Sequence, residues 1–526
     1  MMAKNVLSKK WLYLLTTICI INGLFAQTKK GKPASNQPNA YEIKIDLKNC
    51  KDTLVYLTYY QFDKTMLKDT CKNIKDGKIV FKGKTKLDTG VYSLISQKKS
   101  IYFDFFIDDQ HQFLDLSSDS SDEFIKDLKA KNSDQHNAFF EYVKFLGGKN
   151  MEFAQFKEKS KGMSKKDSTA LVQPKQKEIN ELINDYEQQF YEKQKGSYLG
   201  DVMNLKIEKV LKNIPKASNG RPDSILSYRY YKDHYWDHVN FKDDAIVRNP
   251  FFQGKLKKYF DNVLVRHPDS VAVEIDKMID KTVQSSLVNK LLIANFTSNY
   301  EISKMMGFDK VFVHMVDKYF KTGKAKGIYV DDGIIDKIIK RANLLRPILV
   351  GEKAPDLAMI DINDYPKIAK MGFEKAKTSE EVTKVFYDNY QEINKTFTHL
   401  NDVQADYTLL VFWDVDCSHC KVEIPKLLEL YHKLLAENKN VKAFCVYTQY
   451  DYDKYKKYIE EKKLDWINVF DAVHFNNLRD KYDIVSTPVI YVLDKNKVIK
   501  AKRIDVEQIS DVLKFIELEA KAKAKK

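Results

Sequence analysis

The sequence predicts a multidomain chain: a small β-sandwich N-terminal domain, an all-α middle domain and an α/β C-terminal domain. Three observations carry this reading. Apolar and polar residues alternate with a period of two from Tyr41, the period becomes 3.6 from Ser133, and strand-like and helix-like runs alternate after Gly351. At 526 residues the chain is also too long for a single core.

Residues 1–26 read as a signal peptide. Lys4, Lys9 and Lys10 form a basic start, Trp11 to Phe25 an apolar run, and Ala26 precedes a cleavage point, although Leu24 is larger than the usual residue there. Thr16-Thr17-Ile18 before Cys19 lacks the Leu and small residue that lipoprotein processing wants. The rest of the chain has no apolar run near the ~20 residues of a membrane span. The expectation is an exported protein, in the periplasm or cell envelope, with no membrane span after cleavage.

Residues 27–40 form a polar, Pro-containing linker. In 41–120, Ile43, Ile45 and Leu47 alternate with charged neighbours, and Leu54–Tyr60, Ile79–Phe81, Val91–Ile95, Ile101–Ile107 and Phe113–Leu116 are further strand-like runs. Asp76-Gly77 and Thr89-Gly90 are turn signals between them. Cys50 and Cys71 fall near strand ends, and whether they pair is open, because sequence does not give their separation. In 133–345 the apolar positions trace helix faces, such as Ile179, Leu182, Ile183, Tyr186 and Phe190, with no fixed repeat. The Lys- and Ser-rich span 148–176 within it reads as a mobile loop. The α/β region, 348–520, contains a helical insertion at about 363–400 before the strand Tyr407–Trp413.

Composition excludes some function classes. The net charge of +15 suggests nucleic acid, but the lysines are interleaved with acids, as in Lys126-Asp127-Leu128-Lys129, and no aromatic–basic RNA motif occurs. Nucleic-acid binding is therefore not expected. His234-Tyr235-Trp236-Asp237-His238 resembles an inverted zinc-protease pattern, but has Asp237 where that pattern needs Glu; packing in an aromatic-rich helix is the expected role. No metal is expected. Of six cysteines, Cys19 lies in the leader; the other five are odd in number, so at least one stays unpaired. Cys445, in an apolar strand, reads as a buried, inert thiol.

The stretch Trp413-Asp414-Val415-Asp416-Cys417-Ser418-His419-Cys420 carries the chemistry. It reads as a buried strand, a tight turn and a helix opening at Cys417. Two thiols at this spacing can close a small disulfide ring, and the helix start offers unpaired N–H groups and positive dipole to the first thiolate. A zinc half-site would need a second paired motif, which the sequence lacks. Asp414 and Asp416 beside the first thiol would raise its pKa, whereas a protonated His419 would lower it. Loop solvation or helix capping is the alternative role for the two carboxylates.

Together with Gly351, Ala354-Pro355, Phe412-Trp413, Glu423-Ile424-Pro425, Thr487-Pro488 and Asp494, this motif makes 348–520 resemble the thioredoxin superfamily, and within it the exported TlpA-like and cytochrome-maturation branch. The resemblance implies Cys417 as the attacking and Cys420 as the resolving cysteine. It implies a cis Pro488 against the disulfide, with Thr487 offering backbone groups to a client, and Glu423 tuning the thiols. Trp413, Ser418 and His419 join Asp414 and Asp416 as tuning or client-contact candidates. The implied activity is thiol–disulfide exchange, with reduction as the expected direction and no cofactor beyond the redox-active Cys417–Cys420 disulfide. The implied partners are disulfide- or thiol-bearing envelope proteins and a membrane electron donor or thioredoxin-like reductant. A peroxiredoxin-like enzyme is the alternative, although Asp414-Val415-Asp416 supplies neither the Pro nor the Thr that such enzymes place before their cysteine. A binding or scaffold protein with a regulatory dithiol is another.

Overall fold

The computed structural model describes residues 39–72, 74–119, 124–373 and 375–524. The leader and most of the linker lie outside them. The described chain forms two compact units: one runs to Arg266 and includes Glu274–Leu292, and the other comprises His267–Val273 and the chain from Ile293 onward.

The first unit begins with a two-sheet sandwich. One sheet contains β1 (Tyr41–Leu47), β4 (Lys78–Gly83), β7 (Phe113–Ser118) and β8 (Lys129–Ala130) in the order β4-β1-β7-β8. The other contains β2 (Leu54–Gln61), β3 (Lys64–Lys72), β5 (Gly90–Ser96) and β6 (Tyr102–Ile107) in the order β3-β2-β5-β6. Ile43, Ile45 and Leu47 of β1 meet Val55, Leu57, Leu94, Phe103 and Phe105 in one core, which the alternation of β1 requires. The β-structure reaches Ala130, ten residues past the expected boundary, because β8 closes the edge beside β7. The turn before β4 places Asp76 at φ 51° and Gly77 at φ 73°; a Cβ on Gly77 would fall 1.8 Å from the Leu47 carbonyl oxygen, so only glycine fits. Cys50 and Cys71 are half-buried against this core as unbonded thiols.

The expected loop at 148–176 is instead an antiparallel helix pair, α1 (Asp134–Glu158) and α2 (Lys165–Gln194). Ser133 and Ser164 cap the two starts. Phe145 stacks on Tyr186 at 4.0 Å and Tyr142 on Phe190 at 5.1 Å. This aromatic seam and pairs such as Lys175–Glu178 (2.8 Å) hold a helix where lysine and serine content suggested a loop. Short helices follow, α3 (Tyr198–Asn204), α4 (Ser224–Asp233) and α5 (Phe251–Lys258).

The second unit starts with helices. Of α6 (Pro268–Asp280) and α7 (Leu287–Glu301) it takes the parts His267–Val273 and Ile293 onward; α8 (Asp309–Met315) and α9 (Asp332–Leu345) follow. The expected boundary between the middle and last domains, near 345, thus differs from the structural division near 293.

Its sheet has seven strands: β9 (Ala358–Asp361), β10 (Phe397–His399), β11 (Tyr407–Trp413), β12 (Val441–Tyr447), β13 (Ile467–Phe470), β14 (Val489–Asp494) and β15 (Ile499–Lys502). Their order is β10-β9-β13-β12-β11-β14-β15, with β13, β12 and β11 parallel and the flanking strands antiparallel. The insertion at 363–400 holds the helices α10 (Tyr365–Ile368), α11 (Ser379–Asp388) and α12 (Tyr390–Asn394), but it ends as β10, so it is not wholly helical. Along β11, Leu409, Val411 and Trp413 face a core shared with α13 (Ser418–Ala436), α14 (Tyr452–Lys462) and α16 (Ile509–Ala524). Phe412 on the other face packs against Tyr482 and Tyr491; Tyr482 directly follows the short helix α15 (Leu478–Lys481). The outcome is an N-terminal β-region, a helical middle and a thioredoxin-like α/β C-terminal domain.

Candidate active site

β11 is central, hydrogen-bonded to β12 on one side and β14 on the other, and its last six residues are buried. It ends at Trp413, and a three-residue turn delivers Cys417 as the cap of α13. Asp414 shapes that turn: its Oδ1 accepts the Asp416 N–H at 2.9 Å and its Oδ2 accepts Gln449 Nε2 at 2.9 Å. Its backbone oxygen accepts the Cys417 N–H at 3.3 Å. Val415 turns inward and is buried, whereas Asp416 is exposed and pairs with Lys454 at 3.0 Å. Both carboxylates thus have partners of their own.

The two thiols occupy different surroundings. Cys417 is half-buried at the helix start, and Cys420, one turn on, is fully buried beside Trp413 and Ile424. The Cys417 thiol donates to the Thr487 carbonyl at 3.2 Å, and its sulfur accepts the Cys420 N–H at 3.4 Å. Burial pushes the Cys417 thiol up, but hydrogen bonds from the Thr487 side chain, Cys420 and the His419 backbone outweigh it and hold the pKa below the ordinary thiol value. For Cys420 burial prevails and pushes the thiol up to about 12. One sulfur is therefore half-exposed with its thiolate form favoured; the other is sheltered and held as thiol. Cys445 is fully buried, and burial raises it well above the ordinary value.

Thr487 reaches Cys417 through the sheet register. Val489 pairs with Phe412, so the preceding Thr487-Pro488 lies at the end of β11, next to the turn that carries the thiol. The Thr487–Pro488 peptide bond is cis, and both residues are half-buried. Ser418 and His419 are exposed on the first turn of α13. Glu423 is half-buried and pairs with Lys426 at 2.8 Å, which also reaches Glu507 at 3.0 Å.

Trp413 is fully buried against Tyr447, Tyr455 and Tyr458, so of its two expected roles, tuning and client contact, the second is corrected: it has no face for a client. The expected helix through His234 and His238 is also absent, because α4 ends at Asp233 and His238 has φ 65°. His234 instead binds Asp237 at 2.7 Å, and Lys209 contacts His238 at 2.6 Å. Among the described residues no group of three or more His, Cys, Asp or Glu is placed to hold a metal ion. No helix among them is long and apolar enough to cross a membrane. Sequence reasoning missed Gln449 and Lys454, which hold Asp414 and Asp416 from just after β12 and from α14; neither carries a motif, and only the parallel pairing of β11 with β12 brings them near.

A family model described as thioredoxin-like matches residues 404–499. Two others, each described as a domain of unknown function (DUF4369 and DUF5106), match residues 41–152 and 158–329. Among solved structures, the chain is similar to a domain of a possible thiol-disulfide isomerase from Cytophaga hutchinsonii, at 35% identity over 33% of this chain and 97% of that one, TM-score 0.26. It is similar to a thioredoxin-like protein from Bacteroides caccae at 16% identity, over 58% of this chain and 99% of that one, TM-score 0.32. It is also similar to the thioredoxin domain of a thiol-disulfide oxidoreductase from Bacteroides vulgatus, at 24% identity over 32% of this chain and 96% of that one, TM-score 0.24. No curated protein matches the chain.

Proposed function

Because its C-terminal domain belongs to the thioredoxin superfamily, we propose that this protein is a thiol–disulfide oxidoreductase acting through Cys417 and Cys420. The opposite settings of the two thiols, one lowered and half-exposed and the other raised and buried, are the observation that carries the reading. In the reducing direction, the Cys417 thiolate attacks one sulfur of a client disulfide. The client S–S bond breaks, a mixed disulfide forms, and the departing client thiolate takes up a proton. Cys420 then loses its proton and attacks the Cys417 sulfur. The Cys417–Cys420 bond forms, the second client thiolate leaves, and two electrons have passed from the dithiol to the client. Its high pKa keeps Cys420 silent until the mixed disulfide has formed. Run in reverse, the Cys417–Cys420 disulfide accepts electrons from client thiols.

We assign the reducing direction, with disulfide-bearing envelope proteins as clients and a membrane donor or thioredoxin-like reductant restoring the dithiol. The assignment to the periplasm or cell envelope rests on the leader pattern at residues 1–26, a compartment in which disulfides persist. Insulin reduction driven by dithiothreitol tests the activity: Cys417→Ser is expected to abolish the protein-dependent rate, and an undiminished rate would remove the oxidoreductase reading. The reduction potential tests direction, a value near about −270 mV supporting a reductant and one near about −120 mV an oxidant.

A further inference from the structure

The loop that presents Thr487 to Cys417 is anchored at its other end by Asp483. This residue has φ 51°, a left-handed backbone, and its side chain is only 7% exposed. Two arginines converge on its carboxylate. Arg503, just after β15, binds one oxygen and also donates to the Asp483 carbonyl at 2.9 Å. Arg341 binds both oxygens, its second nitrogen at 2.9 Å. Arg341 lies in α9, before the α/β sheet begins, yet within the same compact unit. Next to Asp483, the Ile484 N–H donates to the Arg479 carbonyl at 2.9 Å, and Tyr491 Oη donates to the Tyr482 carbonyl at 2.9 Å. Between the Asp483 anchor and Val489 in the sheet, Val485 and Ser486 are exposed, Val485 at 81%.

We propose that Arg341 is a positioning residue for the dithiol: its two-pronged bond to Asp483 fixes the loop that sets Thr487 against the Cys417 sulfur. The proposal rests on the exchange reading above. It gives the helical segment before the sheet a part in the chemistry, because a bidentate arginine–carboxylate pair fixes orientation as well as distance. With Arg341 removed, Arg503 still holds Asp483, so the fold persists while the loop gains freedom. The Thr487 side-chain hydrogen bond that lowers the Cys417 pKa is then made only part of the time. The other groups around Cys417 do not change: Asp414 stays on Gln449, Asp416 on Lys454, and His419 and Cys420 belong to α13.

The test is the pH dependence of Cys417 alkylation by iodoacetamide in the reduced full-length protein, followed by mass spectrometry of the Cys417 peptide. Arg341→Met is expected to raise the apparent pKa by about half a unit, slowing alkylation near neutral pH roughly threefold. Arg341→Lys, which keeps the charge and loses the fork, is expected to fall between the two. Arg346→Met breaks the neighbouring pair with Asp317 (2.8 Å) and touches no residue of the loop, so its profile should match wild type. An unchanged profile for Arg341→Met, or equal shifts for Arg341→Met and Arg346→Met, overturns the positioning role while leaving exchange intact. A wild-type protein that reduces no disulfide overturns the exchange reading itself.

Discussion

Cys417 and Cys420 belong to the same helical turn, yet three residues of separation put one sulfur at the cap and the other in the core. Burial acts on both in the same direction; hydrogen bonding decides the difference. Cys417 has the Thr487 side chain and two N–H groups to stabilise a negative sulfur, whereas for Cys420 burial dominates. The helix start contributes through its unpaired N–H groups, as the motif suggested. Asp414 and Asp416, which the sequence sets against the thiolate, are occupied elsewhere and do not decide the direction. Thr487→Val keeps the backbone carbonyl and deletes the hydroxyl, so the Cys417 pKa should rise and its alkylation at neutral pH should slow. A profile identical to wild type would show that the hydroxyl contributes nothing to the thiolate.

At the scale of elements, β11 and α13 form the rigid part of the site, because β11 is buried between paired strands and α13 packs one face into the same core. The loop Asp483–Thr487 is the adjustable part, held by ion pairs rather than by a ladder. This gives it a pH signature. Burial pushes the Asp483 carboxyl up, but Arg341 and Arg503 more than offset that, so its folded pKa lies below the ordinary carboxylate value. A lowered carboxylate contributes stability that is present above its unfolded pKa, about 3.9, and lost as pH falls through the folded value. Urea midpoints of the wild type should therefore drop more steeply below pH ~4 than those of Asp483→Asn, which should also be less stable at neutral pH. Parallel pH profiles would contradict the assignment. On the opposite edge, β10 shows how an element hides in sequence: Phe397–His399 is three residues long and is a strand only because β9 lies beside it.

At the scale of the whole molecule, local chemistry was legible and long-range partnership was not. The alternation in Tyr41–Leu47, the strand–turn–helix at Tyr407–Cys420 and the Thr487-Pro488 pair each carry their signal within a few residues. The pairing of α1 with α2 depends on a seam between residues about 40 apart, such as Phe145 with Tyr186, so lysine-rich composition misled. The division near residue 293 depends on contacts farther apart still. Lys502 of β15, with its side chain only 5% exposed, is satisfied by Asp309 and by the Ile348 carbonyl at 2.7 Å, both in the helical segment. A fragment starting at Ile293 should therefore be more stable than one starting at Leu349, since the shorter piece lacks both partners of the Lys502 ammonium. Equal urea midpoints for the two fragments would contradict the structural boundary.

The attack by Cys417 and its resolution by Cys420 can be separated in one measurement. Reduced Cys420→Ala protein mixed with insulin and quenched in acid should carry an insulin chain disulfide-linked to Cys417, and the matching Cys417→Ala protein should carry none. A client linked through Cys420 in Cys417→Ala, or no adduct in Cys420→Ala, would contradict the assignment of the two thiols.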